Sequence, residues 1–388
     1  MNNLRDAFYI RIGTIQINNG SFGKCPKPVF QEYQRWQLEF EQHPDGFVRK
    51  WFDHMDEARA VLAEYLHTSS RNLAFVTNAT MGVNIATHSL RSWLKPGDEI
   101  LTTDHEYNAC NNAWLFCCEK SGAKYFHQPM PLPVTTTEEF VERFWQGVTP
   151  KTKVIYLSHI TSPTALTFPV KEICARARAA NILTVIDGAH APGQIELDLD
   201  DLGADFYTGN CHKWMCAPKG TAFFYARPDA QHMIEPLIVG HNYAGERKTG
   251  NPMLDLIEFF GTRDLAGFLA VPAAIRFMCE NDWDTVRARC HTFVSQMREQ
   301  LSALVGTQDR PICPNHDDTW FSQMAALRLP HGVDTDKLRE SFWSENLEAI
   351  AFTWNGNPLL RISVQAYNTS DDFEHLMDAL KRHLKLGE

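Results

Sequence analysis

Between residues 50 and 230, short apolar segments alternate with stretches of helical spacing, and this alternation limits the fold more than any other feature of the chain. Phe52 to Leu66 carries apolar residues at helical intervals, and Asn72 to Thr77 follows as a strand. Gly82 to Trp93 reads as a helix closed by Lys95-Pro96-Gly97-Asp98. Further strands are expected at Glu99 to Thr103, Lys153 to Ser158, Thr184 to Asp187, Ala204 to Thr208 and Thr221 to Tyr225, with a helix at Val170 to Ala180. Short apolar strands separated by helices predict an α/β domain with a mostly parallel central sheet flanked by helices.

Past about residue 265 the order changes. Helices are expected at Leu269 to Glu280 and Trp283 to Leu304, then a strand near Met324 to Leu329 and a helix near Thr335 to Asn346. A strand near Leu359 to Val364 and a helix from Ser370 to Leu386 complete a smaller α+β domain. The expected division is 18–265 for the large domain, and 1–17 with 266–388 for the small one. A chain of 388 residues is long enough to bury a core in each.

The formal net charge of -10 gives no electrostatic reason to expect nucleic-acid or anionic-membrane partners. No apolar run reaches the roughly 18 residues of a membrane span, and the first residues lack a signal-peptide pattern. A cytoplasmic protein is expected. None of the ten cysteines forms a C-x-x-C pair, so no metal site is expected and the thiols are read as buried and reduced.

In an open α/β sheet, ligands bind at the carboxyl ends of the strands, and the chemically useful residues cluster there. Asp187 ends an apolar strand and precedes Gly188-Ala189-His190. A carboxylate so placed is poorly solvated and needs a cationic partner, which a protonated pyridine nitrogen provides. The next strand runs into Gly209-Asn210-Cys211-His212-Lys213-Trp214. A lysine in a small polar loop after a strand is well placed to form an imine. Asn78-Ala79-Thr80-Met81-Gly82 lies between a strand and a helix and suits an anion at a helix N-terminus.

These stretches, in order, resemble the class V aminotransferase group of pyridoxal 5′-phosphate (PLP) enzymes of fold type I, and within it the isopenicillin N epimerase-like branch. The resemblance rests on Asn18 to Gly23, Thr77 to Thr80, His105-Glu106-Tyr107-Asn108, Ser158 to Thr164 and Asp187 to His190. It continues through Thr208 to Trp214, Gly261-Thr262-Arg263-Asp264 and Leu360-Arg361-Ile362-Ser363. It implies that Lys213 carries PLP as a Schiff base, that Asp187 partners the pyridinium nitrogen and that His105 stacks on the ring. It places His190 near the phenolic oxygen. Ala79, Thr80, Asn210 and His212 become phosphate contacts, and Thr262 a phosphate contact across a dimer interface. Arg361 becomes the clamp for the α-carboxylate of a small amino-acid substrate, with Asn19 and Arg263 as further substrate contacts. The resemblance also implies a homodimer with shared active sites.

The chemistry is coherent. A protonated pyridine accepts the electron pair freed when Cα loses its proton, a lysine at the imine can move that proton, and an arginine fork matches a carboxylate. The expected reaction is amino-acid epimerisation or racemisation. The alternatives are a C–S β-lyase on a sulfur-containing amino acid, a class V aminotransferase, or a non-catalytic binding protein on a degenerate PLP fold. Epimerisation by two bases needs a second acid/base opposite Lys213, for which Tyr107 or water is available. Cysteine desulfurases carry a nucleophilic cysteine shortly before the arginine equivalent to Arg361. Residues 339 to 360 contain none, which argues against persulfide chemistry.

Overall fold

The computed structural model describes residues 4–244, 249–314 and 319–386. In chain order its strands are β1 (Ile15–Gln16), β2 (Leu73–Val76), β3 (Glu99–Thr103), β4 (Lys124–Gln128), β5 (Thr152–Ser158) and β6 (Leu183–Gly188). They continue with β7 (Phe206–Asn210), β8 (Ala222–Ala226), β9 (Met324–Arg328), β10 (Leu347–Glu348), β11 (Ile350–Trp354) and β12 (Asn357–Ser363).

The main sheet has seven strands in the order β2-β8-β7-β6-β5-β3-β4. The run from β7 to β4 is parallel, and β8 lies antiparallel to both β2 and β7. Side chains along the central strands alternate between two cores, as a period of two demands. Phe75, Leu101, Ile155, Ile186 and Tyr207 enter one core. Ala74, Ile100, Val154, Val185 and Phe206 enter the other. Both faces are covered, so the central strands read as continuous apolar runs.

One helix approaches the sheet too closely for any residue but glycine. A Cβ added to Gly82, in helix Ala79–Arg91, meets Thr208 Oγ1 of β7 at 2.1 Å. That contact fixes the helix N-terminus over the carboxyl end of the sheet.

The smaller sheet has the order β11-β12-β9, antiparallel throughout. β1 pairs in parallel with β10, which joins the first described residues to a strand beside the small sheet. Helices Ala266–Leu269 and Val271–Glu280 pack instead on Lys27–Gln42 and Trp51–Tyr65. These two helices thus pack on elements that precede residue 265. Among the described residues, no helix is long and apolar enough to cross a membrane.

Candidate active site

Adjacent strands bring the expected residues together. The register pairs Ser158 of β5 with Asp187 of β6, and Asp187 with Thr208 of β7. A cavity of about 640 Å³ opens at these carboxyl ends and is lined by Ala79, Thr80, Asp187, His190, Asn210, His212, Lys213 and Arg361.

Asp187 is 3% exposed. Its Oδ1 accepts from the Ala189 N–H at 2.9 Å. Its Oδ2 accepts from Cys110 Sγ at 3.4 Å and Tyr156 Oη at 3.3 Å. Burial pushes its carboxyl up, against these donors and the charge of Lys213. No cation among the described residues forms an ion pair with it. A buried carboxylate with neutral donors alone is underpaired, and the pyridinium nitrogen of PLP suits that vacancy in charge.

Lys213 lies 3.3 Å from His190 Nε2. His190 Nδ1 meets Trp214 Nε1 at 3.4 Å. An indole nitrogen only donates, so Nδ1 accepts and the ring proton sits on Nε2. That proton then faces the lysine nitrogen, which can accept it only as the uncharged amine. Burial, assisted by the positive charge of Arg361, lowers the lysine to about 8, while Asp187 acts against the shift. Burial also holds His190 well below its usual range, so its ring stays neutral. A lysine with an available lone pair is what imine formation requires.

Asn78 caps the helix Ala79–Arg91 by accepting from the Met81 N–H at 2.9 Å. Asn210 Oδ1 accepts from the Ala79 N–H at 2.8 Å. Asn210 therefore touches the helix N-terminus directly and positions it, while Thr80 lines the cavity. His212 Nδ1 is taken by the Thr221 carbonyl at 2.8 Å, and burial lowers this histidine to about 4. A helix N-terminus beside Thr80 and His212 suits a phosphate.

Arg361, on β12, reaches out of the small sheet. Nη1 donates to the Ser162 carbonyl at 2.7 Å and to Ser162 Oγ at 3.0 Å. Nη2 donates to Asn18 Oδ1 and Ser21 Oγ, each at 3.1 Å. Nε is buried without a partner. Burial lowers the guanidinium to about 10, still charged at neutral pH. A buried cation with neutral partners and an unused donor suits a substrate carboxylate.

Four expected residues lie elsewhere. His105 is fully buried and does not line the cavity. Its Nδ1 bonds Thr164 Oγ1 and its Nε2 the Met130 carbonyl, both at 2.7 Å, and Trp354 covers its ring at 4.4 Å between centroids. Both ring nitrogens and one ring face are thus engaged within the protein, and Tyr107, two residues on, lines the cavity. Asn19 is turned to Tyr367, whose hydroxyl it accepts at 3.0 Å, and its neighbour Asn18 makes the contact to Arg361. Arg263 packs over Phe260 at 4.0 Å, and none of its guanidinium nitrogens has a hydrogen-bond partner among the described residues. It does not line the cavity. Thr262 is exposed and away from the cavity of its own protomer.

Two features escaped the sequence reading. Glu106 lines the cavity, with Oε1 accepting from Thr103 Oγ1 at 2.7 Å and Oε2 from Ser158 N–H at 2.8 Å and Oγ at 2.6 Å. Burial pushes it up to about 7 despite these bonds. The second is β11, whose Ile350, Phe352 and Trp354 form an apolar wall. The hairpin turn after it, Asn355-Gly356, has φ of 45° and 75°. An Asn-Gly pair with positive φ at both residues is the signature of a two-residue hairpin and was present to be read. The turn is clipped to the large domain, since Trp354 Nε1 donates to the Asp104 carbonyl at 3.0 Å and Asn355 Nδ2 to Asp104 Oδ2 at 2.8 Å.

Fold and site together define an α/β enzyme of fold type I. The family model described as Aminotransferase class-V matches residues 26–321. The chain belongs to the class-V aminotransferase family of PLP-dependent enzymes. It is 34% identical to an isopenicillin N epimerase of Amycolatopsis lactamdurans, over 98% of this chain and 97% of that protein. It is 30% identical to a putative L-cysteine desulfhydrase 1 of Oryza sativa subsp. japonica, over 95% of this chain and 83% of that protein. Among solved structures, a C-DES mutant with glycine covalently linked to the PLP cofactor superposes with a TM-score of 0.82 at 18% identity, covering 99% of each chain.

Proposed function

We propose that this chain is a PLP-dependent enzyme that removes the α-proton of an amino acid and returns it, an epimerase or racemase like the isopenicillin N epimerases. The observation that carries the reading is one cavity holding a buried, uncharged-capable Lys213, the underpaired carboxylate of Asp187 and the guanidinium of Arg361. In this reading Lys213 carries the cofactor, Asp187 holds its pyridine nitrogen, His190 meets its phenolic oxygen, and Thr80 with His212 holds its phosphate. Tyr107 takes the ring-face place. When bound, PLP supplies a sink for the electron pair left at Cα.

The chain's own groups do the rest. Arg361 orients the substrate by its carboxylate. Lys213 Nζ, lowered towards neutrality, takes the proton from its own face of Cα, and a water reaching the opposite face returns one with inversion. Among the described residues no cysteine lines the cavity, which supports proton transfer over a thiol-relay reaction. The cavity opens from one protomer, and we propose a homodimer in which Thr262, exposed on its own subunit, serves the neighbouring site.

The test is incubation of the holoenzyme with L-amino acids in deuterated water. Deuterium entry at Cα with inversion supports the epimerase. Release of pyruvate and ammonia assigns a β-lyase, and conversion of the cofactor to its aminated form assigns a transaminase. A cofactor-free protein with Lys213 intact sinks the reading.

A further inference from the structure

We propose that the amino acid taken at this site has a neutral, mainly apolar side chain longer than that of alanine or cysteine, received by Ile350 and Phe352. This deepens the α-proton reading above and rests on it.

The first support is strand register. Ile350 of β11 stands directly opposite Arg361 of β12. Directly opposed residues of an antiparallel pair share a face, with Cβ atoms about 4.5–5.5 Å apart. Phe352 and Trp354 follow at a period of two and therefore lie on that same face. All four line the cavity. A carboxylate held by Arg361 is thus set down beside Ile350, with Phe352 next along the strand. Ile160 and Pro163 line the cavity from the large domain.

The second support is the inventory of charge. The ionisable side chains lining the cavity are Glu106, Asp187, His190, His212, Lys213, Arg361 and the phenol of Tyr107. Both oxygens of Glu106 are occupied by neutral donors. Asp187 and Lys213 serve the cofactor, and the two histidines are held neutral by burial. Arg361 is taken by the α-carboxylate. Among the described residues of one subunit, no further lining cation is left for a side-chain carboxylate, and no free lining carboxylate for a side-chain ammonium. An unpaired charge entering such a site is strongly disfavoured.

The experiment measures loss of the α-proton signal in deuterated water with holoenzyme and L-alanine, L-cysteine, L-aspartate, L-lysine, L-methionine and L-norleucine. A buried methylene is worth about fourfold, so kcat/KM for norleucine and methionine is expected at least about tenfold above alanine. Aspartate and lysine should fall at least about tenfold below it. Phe352→Ala should cut the norleucine-to-alanine ratio about tenfold, a ratio insensitive to how much folded enzyme is present. Fastest exchange with aspartate, lysine, cysteine or alanine overturns the side-chain class and leaves α-proton chemistry standing. A Phe352→Ala enzyme with altered self-association and an unchanged ratio overturns it too, assigning the wall to subunit packing. No exchange with any amino acid, and no change in the cofactor's absorbance, sinks the reading beneath it.

Discussion

At the floor of the cavity, each carboxylate oxygen of Asp187 and Glu106 meets a neutral donor. On the small-domain wall, Ile350, Phe352 and Trp354 offer ring and aliphatic surface around a single cation, Arg361. The floor is built to shift proton affinities, and burial there lowers Lys213 and raises Glu106. In the proposed reading, the wall chooses which molecule meets those groups. Chemistry and choice thus sit on different sheets, and substitutions should separate them.

The largest effect belongs to the floor. Lys213→Ala should abolish the near-visible absorbance of the holoenzyme and slow α-proton exchange on the order of 10³-fold or more. Absorbance retained with exchange intact would move the cofactor to another residue. On the wall, Arg361→Lys loses the planar fork, and KM should rise roughly 10–100-fold while the absorbance is kept. A fall in kcat at constant KM would place the arginine in the chemistry and erase the contrast.

Glu106 offers a test that needs no turnover. Its folded-state value of about 7 lies above the ordinary carboxyl value of 4.5. Between these values the folded protein holds a proton that the unfolded chain has lost, so stability falls as pH rises through this window. Chemical denaturation at pH 5.5 and 8 should show wild type losing about 2 kcal/mol more than Glu106→Gln. Equal losses would mean that the floor does not perturb this carboxyl. The smallest effect separates the two neighbouring ring candidates. Tyr107→Ala should weaken PLP retention by about 1 kcal/mol in a dialysis or fluorescence titration. His105→Gln should instead lower folding stability by about 1–2 kcal/mol, through its two ring bonds, and leave retention alone.

The floor was largely legible in the sequence. Asp187 and Lys213 sit at or just after apolar strands, and a parallel sheet gathers such ends into one place. Which residue of the turn after β3 lines the cavity was not. Residues 104 to 106 form a turn between β3 and helix Asn108–Ser121, where strand alternation lapses and helical spacing has not begun. Nothing in the spacing tells whether position 105 or 107 faces the cavity. Asn18 and Asn19 posed the same problem at the start of a four-residue helix. The wall was missed because β11 mixes buried and exposed positions, and only Asn355-Gly356 marks it. Arg263 was expected at the substrate, yet its guanidinium rests on aromatic rings, a tertiary arrangement no local pattern encodes.

The bonds from Trp354 and Asn355 to Asp104 join the three-stranded sheet to the turn that leads into Tyr107. Asp104 stands three residues before Tyr107, and Trp354 leads through one tight turn into the strand that carries Arg361. If Arg361 anchors the substrate and Tyr107 covers the cofactor as proposed, any displacement of the three-stranded sheet would shift both together. Looseness in either is transmitted to the other, so the enzyme's grip on amino acid and on cofactor should tighten and slacken in step.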